Sequence, residues 1–252
     1  MTRRFAVVIP ARYGASRLPG KPLLDLLGRP MIAWVHEAAI RCGATTVVVA
    51  TDDARIRNAV HGFGGRVVMT SPDHASGTDR VAEAARDLDE EVIINVQGDE
   101  PLLDPALIDR LAAPLLADPT LTMATVAQPL GDPADHANPN IVKLVVDRNG
   151  NALYFSRAPI PWDRDRVIPP GTGHPCMLHH VGMYGFRADF LQTFATLPPT
   201  PLERLERLEQ LRVLEHGHAI RVVVSDRTVN RGVDTPEDVE RVRAHLAARQ
   251  RE

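Results

Sequence analysis

The chain has 252 residues, 44% hydrophobic and 24% charged, with a formal net charge of -3. It is long enough for one large α/β domain, and too acidic for a general nucleic-acid binder. No apolar run approaches the ~20 residues of a membrane span, Met1–Arg4 leads straight into an apolar run with no signal-peptide pattern, and the isolated Cys42 and Cys176 form neither a disulfide framework nor a metal-type pair, which suits a reducing cytoplasm. In chain order, Phe5–Pro10 reads as a buried strand. Pro30–Cys42 reads as a helix that ends at Gly43, Thr46–Thr51 as a β-branched strand and Asp53–Gly62 as a helix. A strand at Arg66–Thr70, a helix at Asp79–Asp87, a strand at Val92–Gln97 and a helix at Pro105–Ala117 complete the first half. Continuous apolar strands separated by helices predict an α/β fold with a mostly parallel, Rossmann-like sheet and helices on both faces.

The second half changes character. Leu121–Gln128, Val142–Asp147, Ala152–Arg157 and Val181–Phe186 read as strands, the middle two joined by a hairpin across Arg148-Asn149-Gly150-Asn151. A Pro-rich loop runs from Pro159 to Pro175. We expect a single domain over 1–252 with a β-rich insertion at about 121–190 that closes the site or forms a subunit interface, residues 142–157 contributing to the latter. Thr200-Pro201-Leu202-Glu203 predicts a capped helix reaching about Glu215, with Leu202, Leu205, Leu208 and Leu211 on its buried side. Arg221–Ser225 is a last strand, and Thr235-Pro236-Glu237-Asp238 caps a last helix.

Three loops follow strands and should share the rim where open α/β sheets bind ligands. Arg12–Lys21 packs two glycines, a serine and three cations into ten residues, which suits a phosphate chain. Of 29 basic residues only Lys21 and Lys143 are lysines, which marks places where a compact ammonium is needed instead of a planar fork. The loop is not a Walker A motif: five residues separate Gly14 from Gly20, and Pro22 stands where a magnesium-binding Ser or Thr would be. Asp52-Asp53 and Gly98-Asp99-Glu100 follow the strands Thr46–Thr51 and Val92–Gln97. Asp99 suits a hard divalent cation such as magnesium. Asp234 precedes the last helix, where Thr235 already supplies the cap, so Asp99 and Asp234 would clamp one metal between them. Ser76-Gly77-Thr78-Asp79-Arg80 opens a helix with small residues that let a ligand approach the backbone. Each feature has a plainer structural reading as a polar turn, a helix cap or a solvated loop.

Ile9-Pro-Ala-Arg-Tyr-Gly-Ala-Ser-Arg-Leu-Pro-Gly-Lys-Pro22 resembles the signature of the CMP-sugar synthetases, a family of nucleotidyltransferases. Asn95-Val-Gln-Gly-Asp-Glu-Pro101, Asn138-Pro-Asn-Ile-Val-Lys143, Tyr154–Trp162 and Gly232–Asp238 resemble the branch that activates the acidic sugar 3-deoxy-D-manno-octulosonate (KDO), from about Phe5 to Leu246. The resemblance implies CTP + KDO → CMP-KDO + pyrophosphate, feeding lipopolysaccharide synthesis, in a cytoplasmic magnesium-dependent homodimer. Carried over residue by residue, it implies that Arg12, Ser16, Arg17 and Lys21 hold the triphosphate, and that Ser76, Thr78, Arg80 and Gln97 line the nucleotide pocket. It further implies that Asp99 and Asp234 bind magnesium, and that Arg157, His180, Glu209 and Gln210 contact the sugar. Arg17, Lys21, Asp99 and Asp234 would be the catalytic set, and His179 competes with His180 for the place beside the sugar. Sialic acid or an 8-amino KDO analogue as the sugar, a nucleotide-sugar glycosyltransferase, and a non-catalytic CTP-binding regulator are the alternative readings.

Overall fold

A computed structural model describes residues 4–14, 18–165, 167–168, 174–230 and 232–249. The chain divides into two compact units, Met1–Ala112 with Asn230–Glu252, and Ala113–Val229.

The first unit begins with β1 (Phe5–Pro10), a 3₁₀ turn at Lys21–Leu23, the short pair β2 (Asp25–Leu26) and β3 (Arg29–Pro30), and α1 (Met31–Ala39). It continues through β4 (Thr46–Thr51), α2 (Ala54–Gly62), β5 (Arg66–Met69), α3 (Gly77–Ala84), β6 (Val92–Asn95) and α4 (Pro105–Ala117), inside which the division between units falls. β1 pairs in parallel with β4 on one side and β6 on the other, and β4 pairs in parallel with β5, giving the order β6-β1-β4-β5. The apolar runs of β1 and β6 are buried throughout except at Pro10, as a strand covered on both faces requires. The chain moves from β1 outward to β5, then crosses back to β6. With right-handed crossovers, this reversal places α1 and α2 on one face and α3 on the other. It also makes the gap beyond the carboxyl ends of β1 and β6 the topological switch point, where such sheets open a ligand crevice.

The second unit holds β7 (Met123–Pro129), α5 (Pro133–Ala137), β8 (Lys143–Val146), β9 (Ala152–Ser156), β10 (Leu178–Arg187), α6 (Ala188–Phe194), α7 (Pro201–Glu206), α8 (Leu211–Glu215) and β11 (Ile220–Val224). β10 runs antiparallel to β7 and, at its start, to β8, β8 and β9 form the expected hairpin, and β11 adds to β7 in parallel. Gly150, at φ 79°, supplies the left-handed residue that the hairpin turn needs. The predicted helix over 201–215 is broken. Arg207, in a left-handed conformation at φ 55°, ends α7, and Glu209 and Gln210 lie in the turn before α8. The cause is tertiary: Arg212 pairs with Glu203, and the Leu202 amide donates to Glu215 Oε2 at 3.0 Å, so α8 is tied back against α7. Leu208 and Leu211 are buried as expected, but Leu205 is 80% exposed.

The chain returns to the first unit with α9 (Pro236–Arg249). Val233, Val239, Val242 and Leu246 form a core cluster with Leu26, Met31 and Leu102, each buried side chain contributing on the order of 2 kcal/mol. Thr235 and Asp238 satisfy each other's backbone amides in a capping box. Burial raises the Asp238 carboxyl, but Arg241 and the amides of Asp234 and Thr235 outweigh it and hold the group down at about 2. This docking fixes where Asp234 stands. No helix among the described residues is long and apolar enough to cross a membrane.

Candidate active site

A cleft of about 410 Å³ opens at the switch point of the first unit. Its walls come from the end of β1 (Pro10, Ala11, Arg12), the turn at Leu18, Lys21 and Pro22, the entry to α3 (His74 to Gly77, and Arg80), the end of β6 (Gln97, Gly98, Asp99) and Asp234. Of the nucleotide residues expected from sequence, Arg12, Lys21, Ser76, Arg80 and Gln97 line it, together with the two expected metal ligands, Asp99 and Asp234. Thr78 is buried in the first turn of α3. Ser16 and Arg17 lie outside the described residues.

The Lys21 ammonium lies between two carboxylates of the cleft wall. It donates to Asp99 Oδ2 at 2.5 Å and to Asp234 Oδ1 at 3.0 Å, with the lysine side chain 11% exposed. Burial works to discharge it, but the two carboxylates prevail and hold its pKa above the usual lysine value. Residues 135 positions apart meet because the Val233 amide donates to the Asp99 carbonyl at 2.9 Å. A Cβ at Gly232 would stand 3.3 Å from that same carbonyl oxygen. Gly98 is constrained more severely, since a Cβ there would meet the Pro10 carbonyl at 2.8 Å. Burial, and then the Asp99 charge, push Glu100 up to about 8, so Glu100 is mostly uncharged at neutral pH.

The loop after β1 is held at both ends by contacts that no local sequence pattern announces. The Gly20 amide donates to the Tyr13 carbonyl at 2.9 Å, and a Cβ on Gly20, whose φ is 72°, would press on the Tyr13 ring at 3.0 Å. That ring is stacked under the Arg55 guanidinium at 3.3 Å, and Arg55 is itself fixed by Asp53, whose carboxyl it draws down to about 2. Arg80 is buried. It donates to Asp52 Oδ2 at 2.9 Å and to Thr70 Oγ1, so the expected Asp52-Asp53 pair anchors arginines. Ser76 and Asp79 form the capping box of α3. His74, also on the cleft wall, pairs with Glu83.

The sugar residues expected from sequence all fall in the second unit, three of them around the start of β10. His180 is buried. Its Nε2 lies 2.9 Å from Thr125 Oγ1 and its Nδ1 3.4 Å from Gln210 Nε2, with its ring against Phe155 and Tyr184. Burial, helped by the charge of His179, lowers its pKa to about 3, so the imidazole is neutral. His179 is only half-buried, with Nδ1 3.0 Å from Gln128 Nε2. The Tyr184 hydroxyl donates to Gln210 Oε1 at 3.1 Å, and burial, then the Glu209 charge, push its pKa up. Arg157 closes the end of α7: its Nε donates to the Glu206 carbonyl at 2.7 Å, and its terminal nitrogens donate to the carbonyls of Pro139 and Arg207. Glu206, unmarked in the sequence reading, accepts from Ser156 Oγ at 2.6 Å and from the Arg157 amide at 2.9 Å.

A parallel sheet whose switch point holds a cationic loop opposite two carboxylates defines a nucleotide-handling α/β enzyme of the nucleotidyltransferase class. The cytidylyltransferase family model matches residues 6–220. The chain is 55% identical to a 3-deoxy-manno-octulosonate cytidylyltransferase of Syntrophotalea carbinolica, covering 95% of this chain and 97% of that protein. It is 53% identical to the protein of the same name from Chromohalobacter salexigens, covering 96% of each. A solved CMP:2-keto-3-deoxy-manno-octonic acid synthetase complexed with CTP superposes with a TM-score of 0.91 at 44% identity, covering 98% of this chain and 99% of that one. The chain therefore belongs to the 3-deoxy-manno-octulosonate cytidylyltransferase family.

Proposed function

We propose that this protein activates KDO: the anomeric hydroxyl oxygen attacks the α-phosphorus of CTP, the bond from that phosphorus to the β-phosphate oxygen breaks, the hydroxyl proton passes to solvent, and CMP-KDO and pyrophosphate leave. The carrying observation is the switch-point cleft in which Lys21 meets Asp99 and Asp234, in a chain that shares half its residues with proteins named for this reaction. Such a displacement asks for alignment and charge neutralisation more than for covalent help. Arg12 and Lys21 supply positive charge where pyrophosphate would develop negative charge. Ser76 and Gly77, at the start of α3, let the nucleotide come close to the backbone.

The Asp99–Asp234 pair fits magnesium. Its oxygens are hard donors already arranged around one positive group, the Lys21 ammonium. Among the described residues no group of three or more His, Cys, Asp or Glu is gathered for a metal. Two carboxylates with phosphate oxygens and water completing the shell is the usual magnesium arrangement. When bound, the ion would lower the pKa of a coordinated hydroxyl and neutralise phosphate charge.

Arg157, His180, Glu209 and Gln210 of the second unit hold the sugar in this reading. The remaining Arg157 N–H donors take its carboxylate, and the Glu209–Gln210 turn and His180 take hydroxyls. The β-rich section at about 121–190 serves the sugar and, through residues 142–157, a homodimer. The setting is the cytoplasm, upstream of lipopolysaccharide assembly. The test is pyrophosphate release from purified protein with magnesium, CTP and, in turn, KDO, its 8-amino analogue and sialic acid. Release with KDO is expected. Release with sialic acid alone, or no release with any of the sugars, overturns the proposal. Size-exclusion chromatography with light scattering reads the dimer.

A further inference from the structure

Lys21 is asked to be in two places. As a phosphate ligand it must reach toward the leaving pyrophosphate. In the structure its Nζ instead lies between Asp99 Oδ2 at 2.5 Å and Asp234 Oδ1 at 3.0 Å, the two groups that would coordinate the metal. The backbone gives the side chain little choice of starting point. Gly20 is left-handed at φ 72°, the Lys21 amide donates to the Leu18 carbonyl at 3.0 Å, and Pro22 follows in a 3₁₀ turn. The aliphatic stem is buried and the ammonium is aimed at the carboxylates, whereas the arginine that dominates this chain would present a planar fork.

We propose that Lys21 is an internal competitor for the cation site, which couples metal binding to nucleotide binding. This rests on the reading of Asp99 and Asp234 as the magnesium ligands. A divalent ion entering the cleft alone must share two carboxylates with an ammonium, or displace it into a position without a counterion. A triphosphate supplies that counterion: once Lys21 is drawn onto phosphate oxygens, Asp99 and Asp234 turn from lysine partners into metal ligands. Nucleotide therefore raises the affinity for the ion and the ion raises the affinity for nucleotide by the same factor, as linkage requires. The cleft then does not hold a divalent ion idly, and the charged groups rearrange only when both parts of the metal–nucleotide pair are present.

The experiment is a Mn²⁺ titration of the full chain followed by electron paramagnetic resonance, without nucleotide and then with CTP, for the unaltered protein, Lys21→Met, Lys21→Gln and Lys21→Met combined with Asp99→Asn. Circular dichroism confirms that each variant is folded. Without nucleotide, Lys21→Met and Lys21→Gln are expected to bind Mn²⁺ at least tenfold more tightly than the unaltered protein, about 1.4 kcal/mol. Asp99→Asn should abolish that gain. CTP should tighten Mn²⁺ binding to the unaltered protein much more than to Lys21→Met. If the lysine variants bind Mn²⁺ no more tightly while CTP-dependent binding still requires Asp99, the carboxylates are the metal site and Lys21 is not its competitor. If no Mn²⁺ binding depends on Asp99 under any condition, the metal assignment fails and the competition fails with it.

Discussion

The Lys143 ammonium donates to the carbonyl of Arg157 at 2.5 Å, and to those of Ile141 at 2.7 Å and Asn138 at 2.9 Å. It is 0% exposed. All three of its donors are thus spent on backbone oxygens, and one buried cation joins the Asn138–Ile141 loop to the end of β9 where Arg157 begins. Lys143→Met removes the donor and leaves three carbonyls unsatisfied, a loss on the order of 3 kcal/mol. That corresponds to a Tm lower by roughly 10 °C for a chain of this size. Lys143→Arg does not restore it, because a flat guanidinium cannot aim at three carbonyls around one point. If Arg157 serves the sugar, the KM for sugar rises while that for CTP holds. An unchanged Tm in Lys143→Met would show that the three bonds contribute nothing.

Asp99→Asn tests the carboxylate pair. The side chain keeps its shape and Lys21 keeps Asp234, so the thermal midpoint is expected to stay within a few degrees, while the rate of pyrophosphate release falls by about 10² to 10³. Full activity in this variant removes Asp99 from the reaction.

The parts of the fold that could be read from sequence are those where one local pattern decides. β1, β4 and β6 announce themselves as apolar or β-branched runs because strands covered on both faces have no polar face to show. α4 over Pro105–Ala117 has the predicted bounds, and the Thr235–Asp238 box marks the start of α9. The proximity of Lys21 and Asp99 was legible because loops after parallel strands share a rim, whereas the sequence pairs Asp234 with Asp99 only because Thr235 already caps the last helix in its place. α6 was missed because Ala188–Phe194 follows β10 with no Gly or Pro between them. Lys143 stood out by its rarity and as the end of the Asn138–Lys143 motif, but its role needs carbonyls from 138, 141 and 157. The Tyr13–Arg55 stack and the bonds of Glu206 to β9 are likewise made by residues more than 40 positions apart, beyond the reach of any local spacing rule.

His180 gives the protein an acid-sensitive element. Burial, with the His179 charge, holds its folded pKa at about 3, against about 6.5 in the unfolded chain. Below pH 6.5 the unfolded chain takes up a proton that the folded one refuses, so stability present above pH 6.5 is lost as pH falls toward 3, by on the order of 1 kcal/mol per pH unit. Urea unfolding between pH 7 and pH 4.5 should show this slope, and His180→Asn should flatten it. The His180 ring resonances should not titrate above pH 5. A titration midpoint near 6.5 would mean that the ring is not enclosed as described.

Arg207 holds a left-handed conformation at φ 55°, ending α7 as its amide donates to the Glu203 carbonyl. A side chain in that region costs about 1–2 kcal/mol, and the Arg207 side chain itself is exposed. What holds the kink is its surroundings: Arg157 closing the α7 carbonyls, and Arg212 with Glu215 tying α8 back onto α7. Arg207→Gly relieves the strain and gives back part of the gain as chain entropy in the unfolded state. The net expectation is a stabilisation of about 1 kcal/mol, a rise in Tm of roughly 2–4 °C for a chain of this size. Because the Glu209–Gln210 turn is set by the ties on either side and not by the Arg207 side chain, the KM for sugar should be unchanged. A lower Tm would mean that the left-handed turn is not strained, and a raised KM would mean that Arg207 itself orders the turn.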